Sequence, residues 1–213
     1  IDIDGPVSFP QSLFNGNEIY FIGYKDLKHS YQQSDLFIYS SVSKDIRNVT
    51  KHFDRDITGI STLKSGQTYI RYDERGIGKI GLYDPPSDNL REGLANNVGG
   101  VSIGRPYQGG GFTVSNEGVL VFPQAALDRP SEIAIATVTD TKIITDVTSE
   151  FVQNHNIGKV KRFEFKSSFD DRPIDGWVVL PPNFSRETGK TYPLVLEIHG
   201  GPFANYGSRF AME

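Results

Sequence analysis

Four residues near the end of the chain, His199-Gly200-Gly201-Pro202, have the types and order that suit stabilisation of an oxyanion. The apolar run Leu194-Val195-Leu196-Glu197-Ile198, introduced by Tyr192-Pro193, leads into them. Such a run predicts a short strand buried on both faces, as in parallel sheets. Two glycines then permit a sharp turn and let a reacting group approach bare N–H donors, while Pro202 fixes the exit and donates nothing. Backbone N–H groups at the end of a rigid strand can hold the negative charge that develops on a carbonyl oxygen during acyl transfer. The plainer alternative is a turn that ends a strand and does nothing else.

Other stretches match chemical motifs by letter and fail on context. Gly100-Val101-Ser102-Ile103-Gly104 has the Gly-x-Ser-x-Gly spacing of a nucleophile elbow, which needs a buried strand before it and a helix after it. Polar Ala95-Asn96-Asn97-Val98-Gly99 precedes it, and Arg105-Pro106 with Gly109 to Gly111 follows, so a strand and turn are expected instead. Gly76-Ile77-Gly78-Lys79-Ile80-Gly81 has dinucleotide-motif spacing, but a strand follows where a helix would have to start, which predicts a hairpin turn. The triple glycine at Gly109 reads as a loop. His29, His52, His155 and His199 lack metal-ligand spacing, and no cofactor or metal is expected. Asp170-Asp171, and Asp54 with Asp56, read as solvated turn residues, because nothing apolar surrounds them to separate their pKa values. Asn48-Val49-Thr50 and Asn183-Phe184-Ser185 fit the glycosylation acceptor pattern, which means little without a secretory context.

The elements that must position the glycine loop are mostly strands. The 213 residues hold 22 Gly, 14 Phe and 10 Tyr but one Met and one Trp, a balance that suits a β-rich protein with many turns. With no cysteine, a disulfide framework, a thiolate nucleophile and cysteine-ligated metals are excluded. The net charge of −4 comes with no basic stripe for nucleic acid, and the apolar runs are too short to span a membrane. Strands are predicted over Glu18 to Tyr24, Asp35 to Ser40, Thr68 to Tyr72 with Lys79 to Tyr83, and Val119 to Phe122 with Glu132 to Val138. Taking Tyr20, Tyr69 and Leu120 as equivalent gives offsets of 49 and 51. Arg47-Asn48-Val49-Thr50 echoes Thr145-Asp146-Val147-Thr148, and Lys64-Ser65-Gly66-Gln67 echoes Ser115-Asn116-Glu117-Gly118. A period of this size with several strands per unit predicts propeller blades, about Phe14 to Phe53, Asp56 to Val98 and Gly99 to Val152. A non-repeating β-sandwich is the alternative.

After Val152 the pattern changes. Gln153 to Gly158 reads as a polar linker, Val160 to Phe165 and Ile174 to Leu180 as a hairpin, Asn183 to Lys190 as a polar loop, and Ser208 as the cap of a helix starting at Arg209. The expected organisation is a partial β-propeller over 1–152, then the first strands of an α/β-hydrolase domain over 153–213, mainly β throughout. With no initiator Met at Ile1 and a stop at Met212-Glu213, both ends read as cuts through a longer protein.

Phe165 to Pro182 together with His199-Gly200-Gly201-Pro202 resembles the entry to the catalytic domain of the prolyl oligopeptidase family of serine peptidases, most closely its acylaminoacyl-peptidase branch. The resemblance is strong from Val160 to about Glu213 and weaker upstream. It implies a propeller that restricts entry to short peptides, paired with a hydrolase domain that works through an acyl-enzyme. By the motif match, the oxyanion donor is the N–H of Gly201, with Gly200 the alternative. In that fold the triad runs serine, then aspartate or glutamate, then histidine, so His199 would shape the loop rather than act as base. No residue here matches the triad, and the chain alone is expected to be inactive. The implied partners are short peptides and the remainder of the same polypeptide, with a second copy an open option. An esterase or lipase on the same fold, and a non-catalytic propeller that binds proteins, are the alternative functions.

Overall fold

A computed structural model describes residues 3–13, 16–137, 139–186 and 189–212. The chain is mainly β. The first sheet is a meander of β1 (Val7–Ser12), β2 (Glu18–Gly23), β3 (Asp35–Ser40) and β4 (Ile46–Asn48). The second contains β5 (Ile57–Thr62), β6 (Thr68–Glu74), β7 (Ile77–Asp84) and β8 (Asn89–Asn96). The third contains β9 (Thr113–Val114), β10 (Leu120–Gln124), β11 (Glu132–Ala136) and β12 (Thr141–Ile143). All neighbouring strands within these sheets are antiparallel.

The sheets pack face to face, as adjacent blades do. Side chains alternate along a strand, so β6 turns Ile70 and Tyr72 one way and Tyr69 the other. Ile70 and Tyr72 join Tyr20, Ile22, Leu36 and Ile38 in a core between the first and second sheets. Tyr69 joins Ile80, Leu120, Phe122, Ala134 and Ala136 in a second core against the third sheet. Five consecutive residues of β6, Thr68 to Tyr72, are buried, as suits a strand covered on both faces, and the charged one among them, Arg71, is paired with Asp73 at 2.8 Å.

The repeat is also visible in the turns. The N–H of Gly16, Gly66 and Gly118 donates to the carbonyl of Leu13, Leu63 and Ser115 respectively. Each glycine has a left-handed φ, of 68°, 87° and 81°, a conformation that side chains resist. Tyrosines of one sheet lie over the glycine turn of the next. The Tyr69 hydroxyl donates to the Gly118 carbonyl at 3.4 Å, and a Cβ on Gly66 would stand 3.2 Å from the Tyr20 hydroxyl.

The strand expected at Asp35 to Ser40 forms over those residues, and the other strands predicted up to Leu180 agree within a few positions. Phe14 and Val138, which bounded two expectations, lie outside the described residues. The first sheet begins earlier than expected, because β1 contains Pro10. Proline is tolerated there since β1 is an edge strand whose pairing slips between Ser8 and Gln11. The third sheet starts later, at Thr113, because the residues after Val98 form a long loop that serves another purpose.

Beyond β12 a short helix, α1 (Ser149–Asn154), covers the last residues assigned to the third unit and the start of the expected linker. The hairpin β13 (Val160–Lys166) and β14 (Pro173–Val179) follows, with Asp171 at φ 56° in its turn. It docks on the β6–β7 turn. Trp177 lies over Gly76 and donates from Nε1 to Ser208 Oγ at 3.3 Å. Arg75 pairs with Glu164 and, at 3.2 Å, with Asp175.

Two expectations fail in the last segment. Leu194 to Ile198 forms no strand, and Leu194 is 87% and Val195 86% exposed. A parallel-sheet strand draws its hydrogen bonds and both buried faces from neighbours, and no strand flanks this one among the described residues. Ser208 caps no helix either. Its N–H donates to the Gly76 carbonyl at 2.9 Å and its hydroxyl accepts from Trp177, so it joins the β6–β7 turn to the docked hairpin.

Candidate functional site

The glycine loop lies against the long loop that precedes β9. Pro106 to Gln108 run antiparallel to Asn205 to Gly207. The Gln108 N–H donates to the Asn205 carbonyl at 3.0 Å, and the Gly207 N–H donates to the Pro106 carbonyl at 3.0 Å. The rings of Tyr107 and Tyr206 meet edge to face at 4.8 Å, a geometry favoured by the ring quadrupoles. From this platform the Tyr107 hydroxyl accepts the Gly200 N–H at 3.0 Å.

That contact separates the two candidate donors. The Gly200 N–H is engaged, whereas the Gly201 N–H has no acceptor among the described residues. Gly201 sits at φ 138°, and a Cβ there would lie 3.0 Å from both the Ala204 Cβ and the Phe203 nitrogen. Gly200 is less constrained, since its Cβ would meet the Tyr107 hydroxyl at 3.5 Å, ordinary contact. His199 turns its Nδ1 to the Gly200 carbonyl at 2.9 Å. It packs beside Tyr206 with ring centres 5.7 Å apart.

Polar contacts fix the rim. The Tyr206 hydroxyl donates to Glu197 Oε1 at 2.9 Å, and Arg105 lies 3.9 Å from the same carboxylate. Loss of hydration and then the Glu197 carboxylate push the Tyr206 phenol up to about 12, so it stays a neutral donor at pH 7. Arg209 is 7% exposed and donates to the carbonyls of Tyr107, at 2.9 Å, Gly100, at 3.0 Å, and Ser102. Burial pulls its guanidinium pKa down. On the opposite flank, the Phe203 ring lies 5.5 Å from Tyr31 of the β2–β3 connection.

The remaining sequence candidates are dispersed. Ser102 stands in an exposed loop rather than in a strand and turn, and its carbonyl serves Arg209. Among the described residues no hydrogen bond joins it to a histidine, and no group of three His, Cys, Asp or Glu could hold a metal. Gly76 lies in a hairpin turn and Gly109 to Gly111 in a loop. His155 stacks on Phe151 at 4.4 Å. The Asn48 side-chain amide donates to Asp35 at 2.7 Å and is thereby engaged. No helix among the described residues is long and apolar enough to cross a membrane. Tyr107, Tyr206 and Arg209 carry no chemical signal in the sequence. They belong to no motif, and only the fold brings residues about 100 positions apart together.

No family model matches the chain. It is 36% identical over 87 residues to the uncharacterized peptidase YuxL of Bacillus subtilis, covering 40% of this chain and 13% of that protein. It is 24% identical over 208 residues to dipeptidyl-peptidase 5 of Aspergillus fumigatus, covering 96% of this chain and 28% of that protein. Among solved structures, Pyrococcus horikoshii acylaminoacyl peptidase superposes with a TM-score of 0.69 at 22% identity, over 92% of this chain and 28% of that one. The chain thus spans under a third of the length of these relatives.

Proposed function

We propose, since this chain belongs to the prolyl oligopeptidase family of peptidases, that it is part of a serine peptidase that hydrolyses short peptides through an acyl-enzyme. Residues 1–152 are assigned to a partial propeller and 153–213 to the start of the hydrolase domain. In such a reaction a serine attacks the peptide carbonyl while a histidine takes its proton, and the carbonyl oxygen becomes an oxyanion. The same histidine returns the proton to the leaving amine, and water then hydrolyses the acyl-enzyme. The part assigned to this chain is one hydrogen bond to the oxyanion, from the N–H of Gly201. The remainder of the polypeptide would supply the serine, aspartate and histidine.

The observation that carries this reading is the contrast between two adjacent amides, Gly200 engaged by Tyr107 and Gly201 left open in a strained turn. Flanking of that turn by loops of the first and third sheets, through Tyr31 and Tyr107, supports a propeller that limits the size of substrate. The test compares the 213-residue chain with the complete natural polypeptide, using a fluorophosphonate probe and short chromogenic peptides with free or acylated N-termini. The complete protein is expected to be labelled and to cleave short peptides, and the chain alone to do neither. Hydrolysis by the pure chain, or a complete protein that the probe leaves untouched, overturns the proposal.

A further inference from the structure

We infer that Tyr107, held by Arg209, is a positioning residue that aims the Gly201 N–H by anchoring the amide before it, an inference that rests on the reading of this loop as the oxyanion hole. Two consecutive glycines have more backbone freedom than any other pair, so a loop built from them does not by itself hold a donor in one direction. Electrostatic stabilisation of an oxyanion requires a donor already oriented before reaction. Two side chains reach Gly200: His199 Nδ1 meets its carbonyl from the adjacent position, and the Tyr107 hydroxyl accepts its N–H from a distant loop, which ties the pair to the rest of the fold.

Tyr107 is itself restrained from three sides. The short antiparallel pairing of Pro106 to Gln108 with Asn205 to Gly207 fixes its backbone, and the edge of Tyr206 fixes its ring. The third restraint is Arg209. A buried guanidinium is costly unless its donors find acceptors, and here the carbonyls of Gly100, Ser102 and Tyr107 converge on it. Arg209 Nε has no partner among the described residues, a further cost of keeping an arginine there. A loop of the third sheet thereby sets the orientation of a donor that belongs to the peptidase segment.

The experiment uses the complete natural polypeptide and Tyr107→Phe, which keeps the ring against Tyr206 and deletes only the acceptor for Gly200. Amide exchange is read on overlapping peptides across Ile198 to Phe203, with the Gly207 amide as an internal reference. Losing one hydrogen bond predicts roughly tenfold faster exchange at Gly200 with Gly207 unchanged. It also predicts a kcat several-fold lower with KM unchanged. Arg209→Lys, which forfeits the forked contacts, is expected to reproduce the Gly200 change in weaker form. Unchanged exchange at Gly200 in Tyr107→Phe overturns the inference, as does an equal rise at Gly207, which would mean general loosening. Because exchange is measured without turnover, an inactive wild-type protein would count against the peptidase assignment alone.

Discussion

The Tyr69 hydroxyl rests on the Gly118 carbonyl at 3.4 Å, and the Tyr20 hydroxyl occupies the matching place over Gly66 one sheet earlier. In the first sheet the equivalent glycine, Gly16, has nothing within 4 Å of where a Cβ would stand. The three positions share one backbone conformation and differ in what lies above it.

Alanine at these glycines separates the two effects. Gly16→Ala carries only the cost of a left-handed residue, about 1 kcal/mol. Gly66→Ala and Gly118→Ala add a methyl 3.2 Å and 3.0 Å from a tyrosine hydroxyl and are expected to be more destabilising. Urea titrations followed by circular dichroism give the order, and equal midpoints for all three would refute the stacking account.

The two glycines of the loop make a second pair. Gly201→Ala forces a side chain into φ 138° against Ala204 and Phe203. In the complete polypeptide it is expected to lower kcat by about a hundredfold, the scale of losing one oxyanion donor. Gly200→Ala meets only ordinary contact and should stay within several-fold of wild type. Reversal of this order in steady-state kinetics would move the donor to Gly200.

Glu132 predicts a pH effect on stability. It is 3% exposed. Burial acts to raise its pKa, but hydrogen bonds from Thr145, Thr148 and the Val147 amide outweigh that and lower it from 4.5 to about 2. The unfolded chain therefore binds the proton more tightly. The stabilisation is complete above the unfolded value and is lost as pH falls from about 4.5 towards 2. Urea midpoints at pH 7, 5 and 3.5 should fall more steeply for wild type than for Glu132→Gln, and parallel curves would reject the assignment.

The single tryptophan reports on the docked hairpin. An ideal Cβ on Gly76 would stand 2.5 Å from the Trp177 ring, so Gly76→Ala should displace it and shift its emission to the red. Arg75→Ala removes pairs to Glu164 and Asp175, but the Arg75 and Glu164 side chains are 52% and 51% exposed, and solvent screens such pairs so that they contribute little. Its spectrum should match wild type. A red shift in Arg75→Ala alone would reverse the weighting of charge against packing.

The sheets were legible because β-formers, turns and the offsets between Tyr20, Tyr69 and Leu120 are local signals. Proline hid β1, since a proline-bearing edge strand and a loop look alike until the partner strand is known. Leu194 to Ile198 misled for the converse reason. Its composition describes a strand with neighbours, and burial depends on those neighbours being there. Gly200 and Gly201 could be read from the sequence as a pair, but their unequal contacts could not, because the Tyr107 hydroxyl takes one of the two amides from 93 residues away. Similarly, the echo of Asn48-Val49-Thr50 in Asp146-Val147-Thr148 was visible, while its use was not. Thr50 and Thr148 both donate to the acid that opens the third strand of their sheet, Asp35 and Glu132.

The arginine that gathers the carbonyls of Gly100, Ser102 and Tyr107 is made last. A ribosome must add more than 100 residues after those carbonyls before Arg209 can reach them. Until then the third sheet is complete in sequence but its long loop lacks its clasp. Nascent chains that end before Ser208 should be cut by a protease between Ser102 and Gly111, and longer ones should resist once Arg209 has cleared the exit tunnel. The order of synthesis thus makes the closing of this loop a late, separate event in the folding of the newborn chain.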